Sequence, residues 1–456
     1  MAKQQDIGQY WTPIYNVFNP WRWLWGTELE AFFVEREDSP LKKLVLEMHP
    51  DRVALQTVLT GHRGSGKTSE LAKFAQLIQD QYFVIWLDLE TSAGGDIHAL
   101  SQLDVLSMMG FAVYKIAEAG LSSKPDKTLR DELEKSLATL IREETEKEDF
   151  EIDVSQILGT IACFGIGLVG GPVAATAAGK VINGLTSGAP FTLGAAGKTL
   201  RKLEMSPRLS EVILRVQAIV RDVEDKAGKP LFLIVDGLDK VDNLAHAHAL
   251  FADSWVLHTP PCRAIYTAPI VLCYHPDYSQ VRSRFPTVEF PNVKLHESGQ
   301  PDVRYERGWQ TMREVVHKRL QSLGMATEDV IAPEALDLLV GMSGGVMRQL
   351  ISLMRDAILE AEVNSQRRVD RLIARKAAYS EQRKYSRPLG RTEFEELQGF
   401  LVTHRRSGTE VGDNLILNLY ILSYVNDSVW YDLHPLVRMI LQGFKTEEHM
   451  TDASGN

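Results

Sequence analysis

Short apolar runs alternate with amphipathic stretches over the first two thirds of the chain. Strands are predicted where the apolar runs occur, at residues 53–59, 82–89, 231–235 and 264–267. Helices are predicted where apolar residues recur at helical spacing, at residues 67–80, 100–119, 126–148 and 209–225. This alternation predicts an α/β fold with a mostly parallel sheet.

From about residue 308 the strand signals fade. Helices are predicted at residues 308–323, 333–341 and 346–362, followed by an apolar helix that contains Leu415, Leu417, Leu419 and Leu422. Asn426-Asp427 then marks a turn, residues 429–433 a short strand, and His434-Pro435 the start of a last helix. The C-terminal third is therefore expected to be mainly helical.

The composition is that of an ordinary globular chain. Of its 456 residues, 50 are basic and 60 acidic, and the net charge of −10 disfavours a protein that binds polyanions over its whole surface. Cys163, Cys262 and Cys273 stand far from any CxxC spacing, which excludes a disulfide framework and a cysteine-rich zinc site. The N-terminus has no apolar signal stretch, so we expect a cytoplasmic location.

One segment carries a phosphate-binding motif. Residues 61–68 read GHRGSGKT, which matches GxxxxGK[ST] after a predicted strand and before a predicted helix. Glycines let several backbone N–H groups face one anion, and the helix N-terminus adds a positive dipole. Lys67 is expected to reach the β- and γ-phosphates of ATP, and Thr68 to offer its hydroxyl to Mg²⁺. The predicted nucleotide ligands here are Gly61, Arg63, Gly64, Ser65, Gly66, Lys67, Thr68 and Ser69.

A second motif follows the apolar run at residues 231–235. The run ends in Asp236-Gly237-Leu238-Asp239, an apolar strand followed by an aspartate, which is the Walker B pattern. At the carboxyl end of a strand, Asp236 would hold Mg²⁺ together with Thr68, because this ion prefers hard oxygen ligands. The two motifs together predict binding of Mg·ATP.

Further residues resemble those of AAA+ ATPases of the origin-recognition clade and of the related STAND signalling ATPases. Phe33-Val34-Glu35-Arg36-Glu37 looks like the box that opens these proteins, and the DGLD form of the second motif is similar to the STAND type. The resemblance implies ATP hydrolysis and a homo-oligomer. It places Arg36 and Arg348 at the nucleotide, Thr267 as the polar sensor on a strand, and Arg284 as an arginine finger for a neighbouring subunit.

AAA+ proteins usually carry a glutamate directly after the Walker B aspartate, where it positions the attacking water. Gly237 stands in that place here, and Asp239 is the nearest carboxylate. We therefore expect Asp239 to be the base or water-positioning group, and turnover to be slow and switch-like. The predicted catalytic residues are Lys67, Asp236, Asp239, Thr267 and Arg284.

The resemblance also predicts a domain order. It divides the chain into an aromatic N-terminal segment (1–27), a P-loop ATPase core (28–296) with a Gly/Ala-rich insertion at about 150–205, a helical lid (297–390) and a winged-helix-like domain (391–456). The aromatic side chains of the first segment are expected to pack on a domain surface, with docking to a partner as the alternative.

Residues 366–391 form a basic run, with nine basic side chains against two acidic ones. A solvated helix face and a phosphate-binding patch both fit such a run. Residues 414–441 contain Arg438 as their only lysine or arginine, so they offer few cations for contacts with DNA phosphates. We expect the C-terminal domain to contact an unknown protein partner, with DNA binding through the basic run as the alternative.

Residues 154–179 contain no charged side chain, and a bilayer span needs only ~20 residues. Gly167 and Gly171 have the spacing of close helix contacts in lipid, whereas Pro172 and the lack of aromatic anchors argue against a span. Three hypotheses stay open for residues 154–199: a buried or flexible hairpin, a membrane-inserting element released on activation, and a constitutive span with membrane association.

The main functional hypothesis is a slowly hydrolysing ATP-driven switch. Its nucleotide state would control oligomerisation or partner engagement, in a signalling or defence system. One alternative is an ATP-dependent DNA-binding loader or initiator. A second alternative is a membrane-acting effector that is gated by the ATPase core.

Overall fold

The structure, a computed structural model, describes residues 2–22, 24–53, 56–92, 97–145, 162–166, 207–241, 243–253, 255–426 and 428–442. The chain divides into two compact units. The helical unit comprises Met1–Ser39, Gly61–Ser69 and Phe290–Asn456, and the sheet unit comprises Pro40–Thr60 and Glu70–Glu289.

The strands and helices are numbered in chain order. The strands are β1 (Gln56–Thr60), β2 (Phe83–Asp88), β3 (Ala162–Ile166), β4 (Leu231–Asp236), β5 (Arg263–Ala268), β6 (Thr287–Glu289), β7 (His296–Glu297), β8 (Gln300–Arg304), β9 (Ile421–Val425) and β10 (Val429–Leu433). The helices are α1 (Ala2–Val17), α2 (Thr27–Phe32), α3 (Leu41–Glu47), α4 (Lys67–Ile78), α5 (Leu89–Ser92), α6 (Gln102–Gly120), α7 (Lys127–Thr145), α8 (Pro207–Ala227), α9 (Leu244–Phe251), α10 (Tyr278–Arg284), α11 (Glu306–Gln321), α12 (Thr327–Val330), α13 (Pro333–Met342), α14 (Met347–Val363), α15 (Arg371–Ser386), α16 (Arg391–Thr403), α17 (Glu410–Leu417) and α18 (435–442).

The sheet unit is built on six strands in the order β3-β2-β4-β5-β1-β6. Five of them run parallel, and β3 lies antiparallel against β2 at one edge. Every residue of β1 and β5 is buried, as expected for strands covered on both faces. This arrangement confirms the predicted α/β fold with a parallel sheet core.

Helices α6, α7 and α8 pack together beside the sheet. The apolar stripes predicted on α7 and α8 are buried, including Leu133 and Leu137 on the first and Val216 and Val223 on the second. Helix α6 begins at a capping box, in which the Ser101 hydroxyl accepts from the Asp104 backbone N–H and the Asp104 carboxylate accepts from the Ser101 backbone N–H. Amphipathic spacing therefore identified these helices correctly, because one face of each is covered.

The strand order reverses around β1, which lies between β5 and β6 although it comes first in the chain. Ligands of open α/β sheets bind at such a reversal, beyond the carboxyl ends of the strands. In the register, Leu59 of β1 lies opposite Thr267 of β5, and Val235 of β4 opposite Tyr266. The ends of β1, β4 and β5 are therefore level along one edge of the sheet.

Strand β3 comes from the uncharged segment, and its pairing with β2 was not predicted. Cys163 lies opposite Leu87 in this pairing. The rest of residues 154–199, with the three hypotheses about it, lies outside the described residues. Among the helices that the structure describes, none combines the length and the apolar character that a membrane span requires.

The aromatic N-terminal segment forms α1, which packs against α14. Trp11 and Phe18 are fully buried, and the Trp11 indole Nε1 donates to the Gln366 carbonyl at 2.9 Å. Trp21, just beyond the helix, is 75% exposed. The segment thus packs on its own unit, as the first of the two hypotheses held, because its large rings need a buried partner surface.

The predicted apolar helix around residue 417 is shorter than expected. It ends at Leu417, Leu419 adopts a left-handed φ of 65°, and Leu422 lies in β9, so the prediction that Leu419 and Leu422 are helical is wrong. The reason is tertiary: Leu422 pairs with Asp432 of β10 and is buried against Val346. The strand at residues 429–433 and the last helix were predicted and are present as β10 and α18, whereas β9 was not predicted. The winged-helix-like domain and its boundaries remain predictions.

Candidate functional site

Residues 61–66 form a tight loop between β1 and α4. Gly61, Gly64 and Gly66 all have positive φ, of 150°, 80° and 108°. At Gly64 a Cβ atom would lie 2.7 Å from the Cβ of Arg348, which real contacts do not tolerate. Glycine is therefore required both by the backbone conformation and by close packing.

Lys67 opens α4 and turns its side chain back over this loop. Its Nζ atom donates to the carbonyl oxygens of Gly61 and His62, each at 2.9 Å, and the residue is only 4% exposed. The Ser65 hydroxyl is buried and has no hydrogen-bond partner among the described residues. A buried cation beside an unsatisfied hydroxyl in a glycine-rich loop fits a phosphate group.

Two arginines predicted from the resemblance contact this loop. Arg36 donates from Nη1 to the Ser65 carbonyl at 3.2 Å and from Nη2 to the Pro291 carbonyl at 2.7 Å. The backbone N–H of Arg348 donates to the Gly64 carbonyl at 3.0 Å, and its guanidinium lies 5.3 Å from the centre of the Trp21 ring. The structure therefore brings both arginines to the phosphate loop, and their roles toward a nucleotide remain predictions.

His62 lies in the loop and was not predicted to matter. Its Nε2 atom accepts a hydrogen bond from the Ser423 backbone N–H of β9 at 2.8 Å. Burial, and the charge of nearby Lys67, lower the pKa of His62 to about 3. A neutral imidazole thus joins the loop to the C-terminal hairpin. The position of His62 inside the motif indicated that it lies near the phosphate site, but the burial of its side chain could not be predicted from the sequence.

The end of β4 carries the second predicted motif. The Gly237 backbone N–H donates to the Thr267 hydroxyl at 2.9 Å and to the Asp236 Oδ1 atom at 2.9 Å. Thr267 is fully buried at the end of β5. Asp236 and Thr267, predicted separately, are therefore held together by one backbone group, and Asp88 at the end of β2 pairs with Asp236 in the register.

Gly237, directly after Asp236, has surroundings that leave no room for a side chain. Its φ is 109°, and a Cβ atom would lie 2.9 Å from the backbone nitrogen of Glu90. The Cβ atom of Glu90 lies 3.6 Å from the same point, and the Glu90 carboxylate pairs with Lys240. The backbone of Glu90 thus occupies the space that a side chain at position 237 would need. Sequence reasoning missed Glu90, although its place just after an apolar strand was a usable signal.

The remaining predicted site residues differ in their burial. Asp239 is buried in a 3₁₀ turn, Leu238–Lys240, that follows β4. Arg284 is half-buried at the end of α10 and donates to the carbonyl of Ala252. Thr68, Arg63 and Ser69 are all half-exposed. Their proposed roles remain predictions.

Comparison with known proteins finds similarity among solved structures. No protein-family model matches the chain, and no curated protein does. The Orc1 protein of Aeropyrum pernix in complex with DNA matches with 12% identity over 96% of this chain and 98% of that chain, with a TM-score of 0.42. The Orc2 protein of the same organism matches with 11% identity over 94% and 98%, and a TM-score of 0.41. Drosophila ORC bound to DNA matches with 13% identity over 95% and 91%, and a TM-score of 0.37. At identities of 11–13%, these likenesses concern the fold alone.

Acid is expected to destabilise the helical unit through His62 and His434, which are both buried. Burial lowers the pKa of His434 to about 3, like that of His62, whereas an unfolded histidine has a pKa near 6.5. The folded state therefore binds fewer protons, and stability falls as pH drops from about 6.5 toward 3, by up to about 1.4 kcal/mol per pH unit for each histidine. Urea unfolding across this range measures the slope.

His434→Gln should flatten that slope, since it removes one of the two groups. His404→Asn changes an exposed histidine of the same unit and is the matched control. Equal slopes in wild type and His434→Gln would contradict this account.

Proposed function

We propose that the chain binds Mg·ATP and hydrolyses it slowly. The observation that carries this proposal is the phosphate loop itself, whose three left-handed glycines, inward-folded Lys67 and unsatisfied Ser65 hydroxyl form a site for phosphate. Backbone N–H groups and the start of α4 would hold the anion, and Lys67 would exchange its carbonyl partners for phosphate oxygens.

Magnesium would be held by Thr68 and Asp236. Only β5 separates β1 from β4, so Thr60 and Asp236 lie about 10 Å apart along the edge, at ~4.8 Å per strand. The phosphate loop starts directly after Thr60. A bound Mg²⁺ would neutralise charge that develops on the phosphate oxygens during transfer. Oxygen ligands at this edge suit that ion.

Glu90 is our proposed water-positioning residue, with Asp239 as the second candidate. The Glu90 Cβ atom lies beside the point where a side chain of residue 237 would start. Its carboxylate, however, is engaged by Lys240, so that ion pair must open before the carboxylate can accept a proton. This requirement supports slow turnover.

Nucleotide state would reach the rest of the helical unit through the loop. The Gly64 carbonyl is bonded to the first turn of α14 at Arg348, the Ser65 carbonyl to Arg36, and His62 to β9. A bound phosphate group would draw the Lys67 side chain away from the loop carbonyls. This movement would disturb the hydrogen bonds of His62, Gly64 and Ser65 at the same time. We infer that Arg348 senses the nucleotide, and that Arg284 acts on a neighbouring subunit of a homo-oligomer.

ATP-dependent DNA binding, as in a loader or initiator, is our second candidate function. All nine basic side chains of residues 366–391 are exposed. Arg371, Arg375, Arg383 and Arg387 repeat at multiples of four along α15 and its C-cap, and Arg371, Arg383 and Arg387 make no ion pair within the described part of the chain. Unneutralised arginines on one helix face suit phosphate contacts. Roles in signalling, defence or membranes stay predictions from the sequence.

Lys67→Ala should weaken ATP binding by ~10- to 100-fold, because it removes a charge-assisted contact to phosphate. Titration with a fluorescent ATP analogue measures the affinity. Lys73→Ala, on the same helix, is the control and should bind ATP as the wild type does. Unchanged affinity in Lys67→Ala would remove the nucleotide site from the proposal.

Glu90→Gln should lower kcat by ~10²- to 10⁴-fold while ATP affinity is kept, as expected on loss of a general base. Asp239→Asn should reduce kcat less. Steady-state phosphate release, together with the binding titration, separates the two effects. The opposite ranking would return the role to Asp239.

Arg371→Glu combined with Arg383→Glu should weaken DNA binding in the presence of ATP and Mg²⁺. The slope of log affinity against log salt should also fall, by roughly 1 for each DNA phosphate that the protein no longer neutralises. Fluorescence anisotropy with a labelled duplex measures both. Arg282→Glu makes the same kind of charge change on the sheet unit and is the control. Absence of wild-type binding at low salt would reject the DNA function.

A further inference from the structure

A cluster of three potential metal ligands lies outside the phosphate site, within the sheet unit. His248 belongs to α9, and His275 and Asp277 belong to the connection between β5 and α10. One ligand atom from each residue lies within 4.8 Å of the others. The two imidazole rings lie 3.9 Å apart, centre to centre. Twenty-six residues separate His248 from His275, so no sequence spacing announced the cluster.

His248 is oriented for a ligand. Its Nδ1 atom lies 3.2 Å from the Asp253 Oδ1 atom, which favours a proton on Nδ1 and leaves a lone pair on Nε2. That Nε2 atom is buried and has no hydrogen-bond partner among the described residues, and it lies 3.9 Å from the Asp277 Oδ2 atom. The whole residue is only 9% exposed. A buried imidazole nitrogen without a partner needs an explanation.

His275 and Asp277 complete the set. The Nδ1 atom of His275 accepts from the Asp277 backbone N–H at 3.1 Å, so this nitrogen already carries a lone pair, and it lies 3.9 Å from the Asp277 Oδ2 atom. A cation would replace the N–H as the partner of that lone pair. The Asp277 side chain is half-exposed, which gives an ion a path from solvent.

We propose that His248, His275 and Asp277 form a binding site for a first-row divalent cation, with Zn²⁺ the best match. Two imidazoles and one carboxylate are ligands that Zn²⁺ prefers, and three protein ligands leave a position for water. Asp253 completes a carboxylate–histidine–metal arrangement, which fixes the tautomer and orientation of His248.

The site would tie α9 to the connection that leads into α10. Arg284, at the end of α10, donates to the carbonyl of Ala252, the residue before Asp253. A cation bound between His248 and Asp277 would therefore hold in place the segment that carries Arg284. This consequence is independent of whether the chain binds ATP.

Zinc binding by the full-length apo chain tests the site directly. Competition with a chromophoric chelator should show one tightly bound Zn²⁺ per chain, and Co²⁺ substitution should give visible absorption bands of a site with nitrogen and oxygen ligands. His275→Gln should lose both signals. Asp253→Asn should keep the ion but weaken its affinity by about 10- to 100-fold, as expected for an orienting residue.

Two further variants keep the test decisive. Asp277→Asn changes a half-exposed side chain, so it reports on binding even where a histidine variant fails to fold, and it too should lose tight zinc binding. His49→Gln alters an exposed histidine beside Asp51 in the same unit and should bind zinc as the wild type does. No zinc binding by the wild type, or equal losses in His49→Gln and Asp277→Asn, would overturn the proposal.

Discussion

The close approach of Gly64 to Arg348 constrains the phosphate loop, and the rest of the candidate site depends on it. Their packing leaves no room for a Cβ atom, while the Gly64 carbonyl accepts a hydrogen bond from the Arg348 backbone. Lys67 fixes the loop from inside, and Arg36 and His62 fix it from outside. A loop that several contacts already hold loses little conformational entropy when it binds an anion. The same contacts connect the loop to Arg36, α14 and β9 within the helical unit.

At the carboxyl edge of the sheet, close packing again requires a glycine. Gly237 adopts a conformation that only glycine tolerates readily, so its amide can reach both Thr267 and Asp236. The backbone of Glu90 then fills the space that a side chain at position 237 would occupy. The catalytic carboxylate, if it comes from Glu90, starts in an ion pair with Lys240. Opening this ion pair would cost free energy, which is consistent with the slow turnover that we propose.

Charge is distributed unevenly in this acidic chain. The net charge of −10 coexists with a basic face on α15, where several arginines have no acidic partner within the described residues. A local face of this kind acts at short range, since salt screens surface charges beyond about 10 Å. In the sheet unit, two histidines and two aspartates gather beside α9. The histidine and aspartate cluster and the basic face are separate from the phosphate loop in sequence, so each can be altered without changing the motif.

The sequence by itself determined everything that is encoded locally. The GxxxxGK[ST] spacing predicted the phosphate loop, apolar runs predicted β1, β2, β4 and β5, and helical stripes predicted α7 and α8. These signals survive because a turn, a strand or a helix face depends on residues within a few positions of one another. The strand order and the register that brings Asp236 level with Thr267 came only from long-range packing. The resemblance had placed Arg36 and Arg348 at the nucleotide, but the hydrogen bonds by which they contact the loop also depend on that packing.

Tertiary structure decided the features that local sequence patterns predicted wrongly or could not predict. Leu419 and Leu422 have helical spacing, yet strand pairing with β10 takes precedence because it buries Leu422. Glu90 meets Gly237, and His248 meets His275, only after distant segments pack together. No short-range pattern encodes such meetings, since the free energy that creates them is that of the folded core and is spread over many residues.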